Sequence, residues 1–297
     1  MKWLITAILA TLFFGFYGLF DKLSTFQEPV VSNFIIYFTT VIIGLALLVI
    51  RRKKINFSKE AYFSGIFAGV SGLILIYSLV SNFVIIIFPF VSFASVVFFF
   101  LILVLEKPKL SSLQKLLVAI GIMISTIGAF ISSTSTIGGF FSFLNNFKIN
   151  LNFLFIGLVI SIGFGIWSYF SFVVIKKKNV EILNANFWIL LGSFTTAIVA
   201  LFFIDVSNSL ILDSRIIFPI MAGLSIIGGS ILTLKAYKIT TGKSKIQETI
   251  IAILTNAEII PLIFLSYFIL REFTVEGFIG AFTVFIGLSI LNYAERM

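Results

Sequence analysis

The chain contains no cysteine and no histidine. The first absence removes disulfides and thiol nucleophiles, and the two together remove the usual zinc-ligand sets. Without histidine the chain also lacks the side chain that titrates nearest neutrality, so any proton coupling must run through carboxylates. Charge is scarce too: 11% of residues are charged, where a soluble domain carries about 25%. There is no glycine-rich phosphate loop with a lysine, no serine elbow, and no paired-acid or Ser–Lys set of the kind intramembrane enzymes use. The sequence is therefore read as a non-enzyme with no cofactor.

What is present is apolar. Of 297 residues, 60% are hydrophobic, with a mean hydropathy of +1.17. A soluble fold of this length has too little interior for that much Phe, Ile and Leu. The class is an all-α, polytopic membrane bundle, because helices satisfy their own backbone polar groups in lipid. Most of the 38 phenylalanines read as lipid-facing filler rather than as the lining of a path.

A helical span needs about 20 mostly apolar residues. Ten candidates follow one another at roughly 3–20, 30–50, 61–80, 84–105, 112–133, 151–175, 182–204, 215–237, 246–270 and 274–293. Lys2 before the first run resembles the start of a signal peptide. No small-residue cleavage site follows, and Gly15, Gly18 and Asp21 fit a packed, retained helix better.

The net charge of +9 sits in short clusters between spans, which is a topology signal rather than a nucleic-acid surface. With ten spans, one side receives Lys2, Arg51, Arg52, Lys53, Lys54, Lys59, Lys107, Lys109, Lys115, Lys176, Lys177, Lys178, Lys235, Lys238, Lys243, Lys245 and Arg296. The other side receives Lys22, Lys148, Arg215 and Arg271, a bias of 17 to 4. The expectation is a multi-pass cell-membrane protein with both termini cytoplasmic.

The two halves resemble each other. Gly15-Phe16-Tyr17-Gly18 matches Gly165-Ile166-Trp167-Ser168, and Asn33-Phe34 matches Asn186-Phe187. Spans 3 and 8 are both glycine-rich (Gly65, Gly69, Gly72; Gly223, Gly228, Gly229), and Glu106 and Gly121 map onto Glu272 and Gly287 at one offset of 166. Five spans is an odd number, so a second copy must enter the membrane upside down, as in inverted-repeat transporters. The expected units are 1–137 and 148–297.

The glycine–aromatic first span, the fourth span with Pro89 closed by Glu106-Lys107-Pro108, and their counterparts ending in Leu270-Arg271-Glu272 and Tyr293 carry a family resemblance. The chain resembles the drug/metabolite transporter superfamily, in particular its ten-span EamA-type members. The resemblance covers nearly the whole chain and implies a transporter fold with spans 5 and 10 peripheral. It departs from the family in having Asn33 and Asn186 where many members have a basic residue. No Glu lies in the first span, where the four-span multidrug members have one.

Glu258 is the first candidate site residue, because a carboxylate halfway along an apolar span is by default functional. Asn256 and the helix-disturbing Pro261 lie beside it. Lys235 either snorkels to the interface or faces the bundle as a ligand. Tyr17 and Trp167, at matched positions, suit a cavity wall or an interfacial belt, and Tyr77 and Tyr237 read the same way. Asn33 and Asn186 fit helix caps or interhelical hydrogen bonds. Asp21-Lys22 reads as a solvated pair at the outer interface, and Glu106 and Glu272 as helix-end residues near water.

The expected function is movement of a small polar or amphipathic metabolite by alternating access, facilitative or gradient-driven. The alternative is a non-transporting scaffold or receptor. The partners implied are that small molecule, the lipid bilayer and protons, without nucleic acid, and a homodimer is a possible assembly.

Overall fold

The computed structural model describes residues 2–24, 28–80, 84–107, 109–134, 151–204, 214–240 and 245–255, with 261, 265, 279, 282–283, 286–287, 289–291, 293–294 and 297. Among them there is no strand. The helices are α1 (Lys2–Leu23), α2 (Pro29–Ile50), α3 (Lys59–Val80), α4 (Val84–Leu101), α5 (Ser112–Thr134), α6 (Leu151–Lys176), α7 (Ile182–Leu201), α8 (Ile217–Ile239) and α9 (Lys245–Thr255). Six of these, α1–α3 and α6–α8, are long and apolar enough to cross a membrane. Their outward faces carry large apolar side chains, Phe38, Phe67 and Phe155 among them, as does α4 with Phe100. A soluble surface rarely exposes so much contiguous hydrocarbon, so the chain is a helical membrane protein. In the expected tenth span, the described residues 279, 282–283, 286–287, 289–291 and 293 are helical.

Local sequence sets the helix ends. Before α2, the Glu28 carboxylate accepts hydrogen bonds from the backbone N–H of Val30 (2.7 Å) and Val31 (3.1 Å), with Pro29 opening the helix. Before α7, Glu181 accepts from Asn184 N–H at 3.0 Å. At α5, Ser111 and Gln114 close a reciprocal capping box, each bond 3.1 Å. α4 runs into a π turn, Ile102–Glu106, and stops where Lys107 adopts a left-handed conformation (φ 47°).

Packing depends on small residues at the crossings. The principal pairs are α1 with α8, α3 with α7, α4 with α6, α3 with α6, and α2 with both α7 and α8. At Gly65 the α3 backbone lies against the Ile189 carbonyl of α7 so closely that a Cβ would overlap it. At Gly223 of α8 a Cβ would fall 2.7 Å from the Ile36 carbonyl of α2. Asn56, Gly65 and Gly69 meet Asn184, Ile189 and Ser193 in rising order, so α3 and α7 run parallel. Ser64 meets Trp167 while Ser71 meets Gly163, so α3 and α6 run antiparallel. α5 packs on α4 and on the last residues of the chain: Gln114 donates to the Ala294 carbonyl at 3.3 Å, and a Cβ at Gly287 would fall 2.6 Å from the Gly121 carbonyl.

The basic connections converge on one end. Lys177 pairs with Glu106 at 2.7 Å and Lys178 with Glu60 at 3.5 Å. Asn56 exchanges hydrogen bonds with the Asn184 side chain (3.1 and 2.7 Å), and Lys176 donates to the Thr240 carbonyl at 2.6 Å. The segments after α2, α4, α6 and α8 therefore share an end. Glu106, expected near water at a helix end, has a side chain only 7% exposed that also accepts from the Tyr169 hydroxyl at 2.8 Å.

Candidate functional site

A cavity of about 60 Å³ lies inside the bundle. Eight of the described helices line it. α1 supplies Phe14 and Tyr17, α2 Tyr37, α3 Ala68, and α4 Val91. α6 supplies Phe164 and Trp167, α7 Ile189, Leu190 and Ser193, α8 Ile226 and Ser230, and α9 Thr255. Among the described residues, none of α5 is in its lining. Most lining residues sit near the middle of their helices, so the cavity lies at mid-depth.

Helical periodicity explains which side chains arrive there. Phe14 and Tyr17 are three residues apart on one face of α1, and Phe164 and Trp167 repeat that spacing on α6. Phe14 meets Trp167 edge-on, with ring centroids 6.0 Å apart, and Phe164 meets Trp167 at 6.4 Å. The polar groups are hydroxyls. Ser193 donates to the Gly65 carbonyl at 2.8 Å, Thr255 to the Ile251 carbonyl at 3.0 Å, and Ser230 to the Asn186 side-chain oxygen. An aromatic wall with a few hydroxyls and no charged lining residue among the described residues suits a small molecule with apolar surface.

The sequence candidates fall in different places. Tyr17 and Trp167 line the cavity together. Tyr77 does not; it is exposed near the end of α3 and donates to Glu28 at 3.0 Å. Lys235 is exposed on α8 and faces away from the bundle. Tyr237 is fully buried, but in an aromatic cluster with Phe98 and Phe172, at centroid distances of 6.3 and 6.1 Å. Asn256 and Glu258 lie outside the described residues, as do Glu272 and Arg271. Asn186 bonds across to α8 through Ser230, an interhelical role.

Asp21 corrects the sequence expectation. Read as a solvated interfacial residue, it is 1% exposed. It stands four residues beyond Tyr17, on the same stripe of α1 that reaches the cavity. Its neighbour Lys22 and its place at the end of an apolar run disguised it. Tyr37, Ser193, Ser230 and Thr255 were also missed, since hydroxyl residues are common throughout membrane helices.

The search against protein-family models gives no match, and no curated protein matches in sequence. The fold does recur among solved structures, with 26 matching chains. One crystal structure superposes with a TM-score of 0.77 over 99% of this chain and 98% of its own, at 12% identity. That likeness is one of fold alone.

Proposed function

We propose that the chain is a ten-span transporter of the drug/metabolite type, built from two inverted five-helix repeats, which moves a small amphipathic metabolite by alternating access. The observation that carries this reading is the mid-depth cavity, to which both halves contribute matched positions. Adding 150 takes Phe14 and Tyr17 to Phe164 and Trp167, and adding 153 takes Tyr37 to Leu190; all six line it.

The packing supports the repeat independently. The 153 offset also relates the capping Glu28 and Glu181, and Asn33 and Asn186. Gly65 presses on Ile189 and Gly223 on Ile36; both members of this pair of contacts are exchanged by the offsets 158 and 153. Swapping each helix for its counterpart turns the α1–α8 contact into α6–α3, and α3–α7 into α8–α2, all of which are present. Gly121 against Gly287, 166 apart, maps onto itself. In an inverted repeat a self-mapped contact of this kind marks the pseudo-two-fold axis, and transporters bind substrate near midplane at the interface of the halves. The basic end is assigned to the cytoplasm.

A cavity of about 60 Å³ holds a few water molecules, far below the roughly 300 Å³ of ordinary ligand sites. Loading therefore requires the halves to part. The chain has no cysteine, so single-cysteine variants report without background. Thr255→Cys and Ser230→Cys are expected to react with a membrane-impermeant thiol reagent added to either face of oriented vesicles. Phe100→Cys, facing lipid, should react only with a lipid-soluble one. Failure of both cavity thiols from both faces would leave the non-transporting scaffold as the better reading.

A further inference from the structure

We propose that Asp21 is a protonation site that couples opening of the cavity to pH, an inference that rests on the transporter reading above. Three observations meet at this residue. Its side chain is buried at the end of a membrane-spanning helix. The Tyr17 hydroxyl lies against it, yet neither carboxylate oxygen reaches hydrogen-bond geometry with any described residue. Tyr17 in turn lines the cavity, so a change at Asp21 is one helical turn from the lining.

The chemistry follows from the missing partner. An ionised carboxylate buried without a counter-ion or hydrogen-bond donors is costly. The charged form therefore demands water, a cation or a repacking of its surroundings, whereas a bound proton removes that demand. Two conformations that differ in whether Asp21 is wetted must then differ in proton affinity, and by linkage pH shifts their balance. Among the described residues the surroundings offer little else to titrate. Glu28 is engaged by Val30, Val31 and Tyr77. Arg215 stands exposed just before α8, and α3 brings only Tyr77 to this end. The described part of α9 stops at Thr255, beside Thr11 and short of Asp21. Asn33, on the first turns of α2, leaves a second buried polar atom, its Nδ2, without a partner. α1 and α2 meet at this end, where Ser32 donates to the Ser24 carbonyl at 2.9 Å.

The test uses the full chain in vesicles. The labelling rate of Thr255→Cys, divided by that of the exposed Lys54→Cys to cancel the reagent's own pH dependence, is expected to change at least about fivefold between ~pH 5 and ~pH 9. Asp21→Asn should abolish the change and hold the ratio at its low-pH value, and Asp21→Glu should restore it. A pH-independent ratio, or one that responds equally in Asp21→Asn, overturns the proposal. So does a response to sodium at fixed pH in place of protons. Thr255→Cys unreactive from both faces at every pH would instead overturn the transporter reading. Should Asp21→Asn fail to fold, an apolar carbodiimide, which attacks protonated buried carboxyls, is applied to the unaltered chain. Mass analysis should find the Asp21 peptide modified at low pH and spared at high pH; equal modification at both overturns the proposal.

Discussion

Gly65→Val is expected to cost about 3 kcal/mol of stability or more, at the upper end for overpacked sites. The reason is specific to this position. Any Cβ at Gly65 overlaps the Ile189 carbonyl, and the Gly192 Cα lies 3.0 Å away. The obstruction is backbone, so no rotamer change relieves it; α3 and α7 must separate. Separation also breaks the Ser193 hydrogen bond to the Gly65 carbonyl and the 3.0 Å Tyr62–Thr195 bond. Gly44→Ala is the matched control. There a Cβ would meet only Phe187 and Leu190 side chains at 3.7 and 3.8 Å, and the change should stay within about 1 kcal/mol, with alanine favoured in a helix. Thermal unfolding of the detergent-purified protein, followed by its elution as a single species, compares the two. Similar midpoints for both variants would mean that the α3–α7 crossing is looser than described.

Ala68→Leu carries the largest expected effect on function. Ala68 is 8% exposed and lines the cavity one turn from Gly65. Its replacement puts an isobutyl group into about 60 Å³. Interior space of that size is filled, not shared, because protein interiors are close-packed. The reaction of Ser230→Cys with impermeant reagent should fall at least roughly tenfold, as expected for a site closed by sterics. Stability should change little, since the added carbons occupy a void. Ala68→Ser, which barely alters volume, should leave the rate near its starting value. Unchanged labelling in Ala68→Leu would place the accessible path elsewhere in the bundle.

The helices were legible because each of the first eight is a long apolar run between charged or polar breaks. The convergence of the basic connections was legible for the same reason: Arg51–Lys54, Lys107 and Lys176–Lys178 alternate with the spans, and alternation fixes which end each reaches. The matched glycines Gly65 and Gly223 were visible as composition, but their partners Ile189 and Ile36 were not. An isoleucine that offers only its carbonyl leaves no sequence trace. At the cavity, Tyr17 and Trp167 could be found by their matched places in two similar stretches of sequence. Tyr77, Lys235 and Tyr237 stand out only by residue type near helix ends. There, rotation of the helix by one residue decides between cavity, core and lipid, and one sequence does not set that rotation. Asp21 is disguised by the company it keeps: a neighbouring lysine looks like a partner in the sequence, whereas α1 turns the carboxylate inward.

The two crossings held by Gly65 and Gly223 have a mechanical consequence. α3 with α7, and α2 with α8, are each locked backbone to backbone, so each couple should travel as one stiff plate. Between the plates, at the α2–α7 seam, a Cβ on Gly44 would meet the Phe187 and Leu190 side chains at ordinary distance and no backbone. Relative movement of the plates must also break the buried Ser230–Asn186 bond that ties α8 to α7, so this hydroxyl–amide contact is the latch between them.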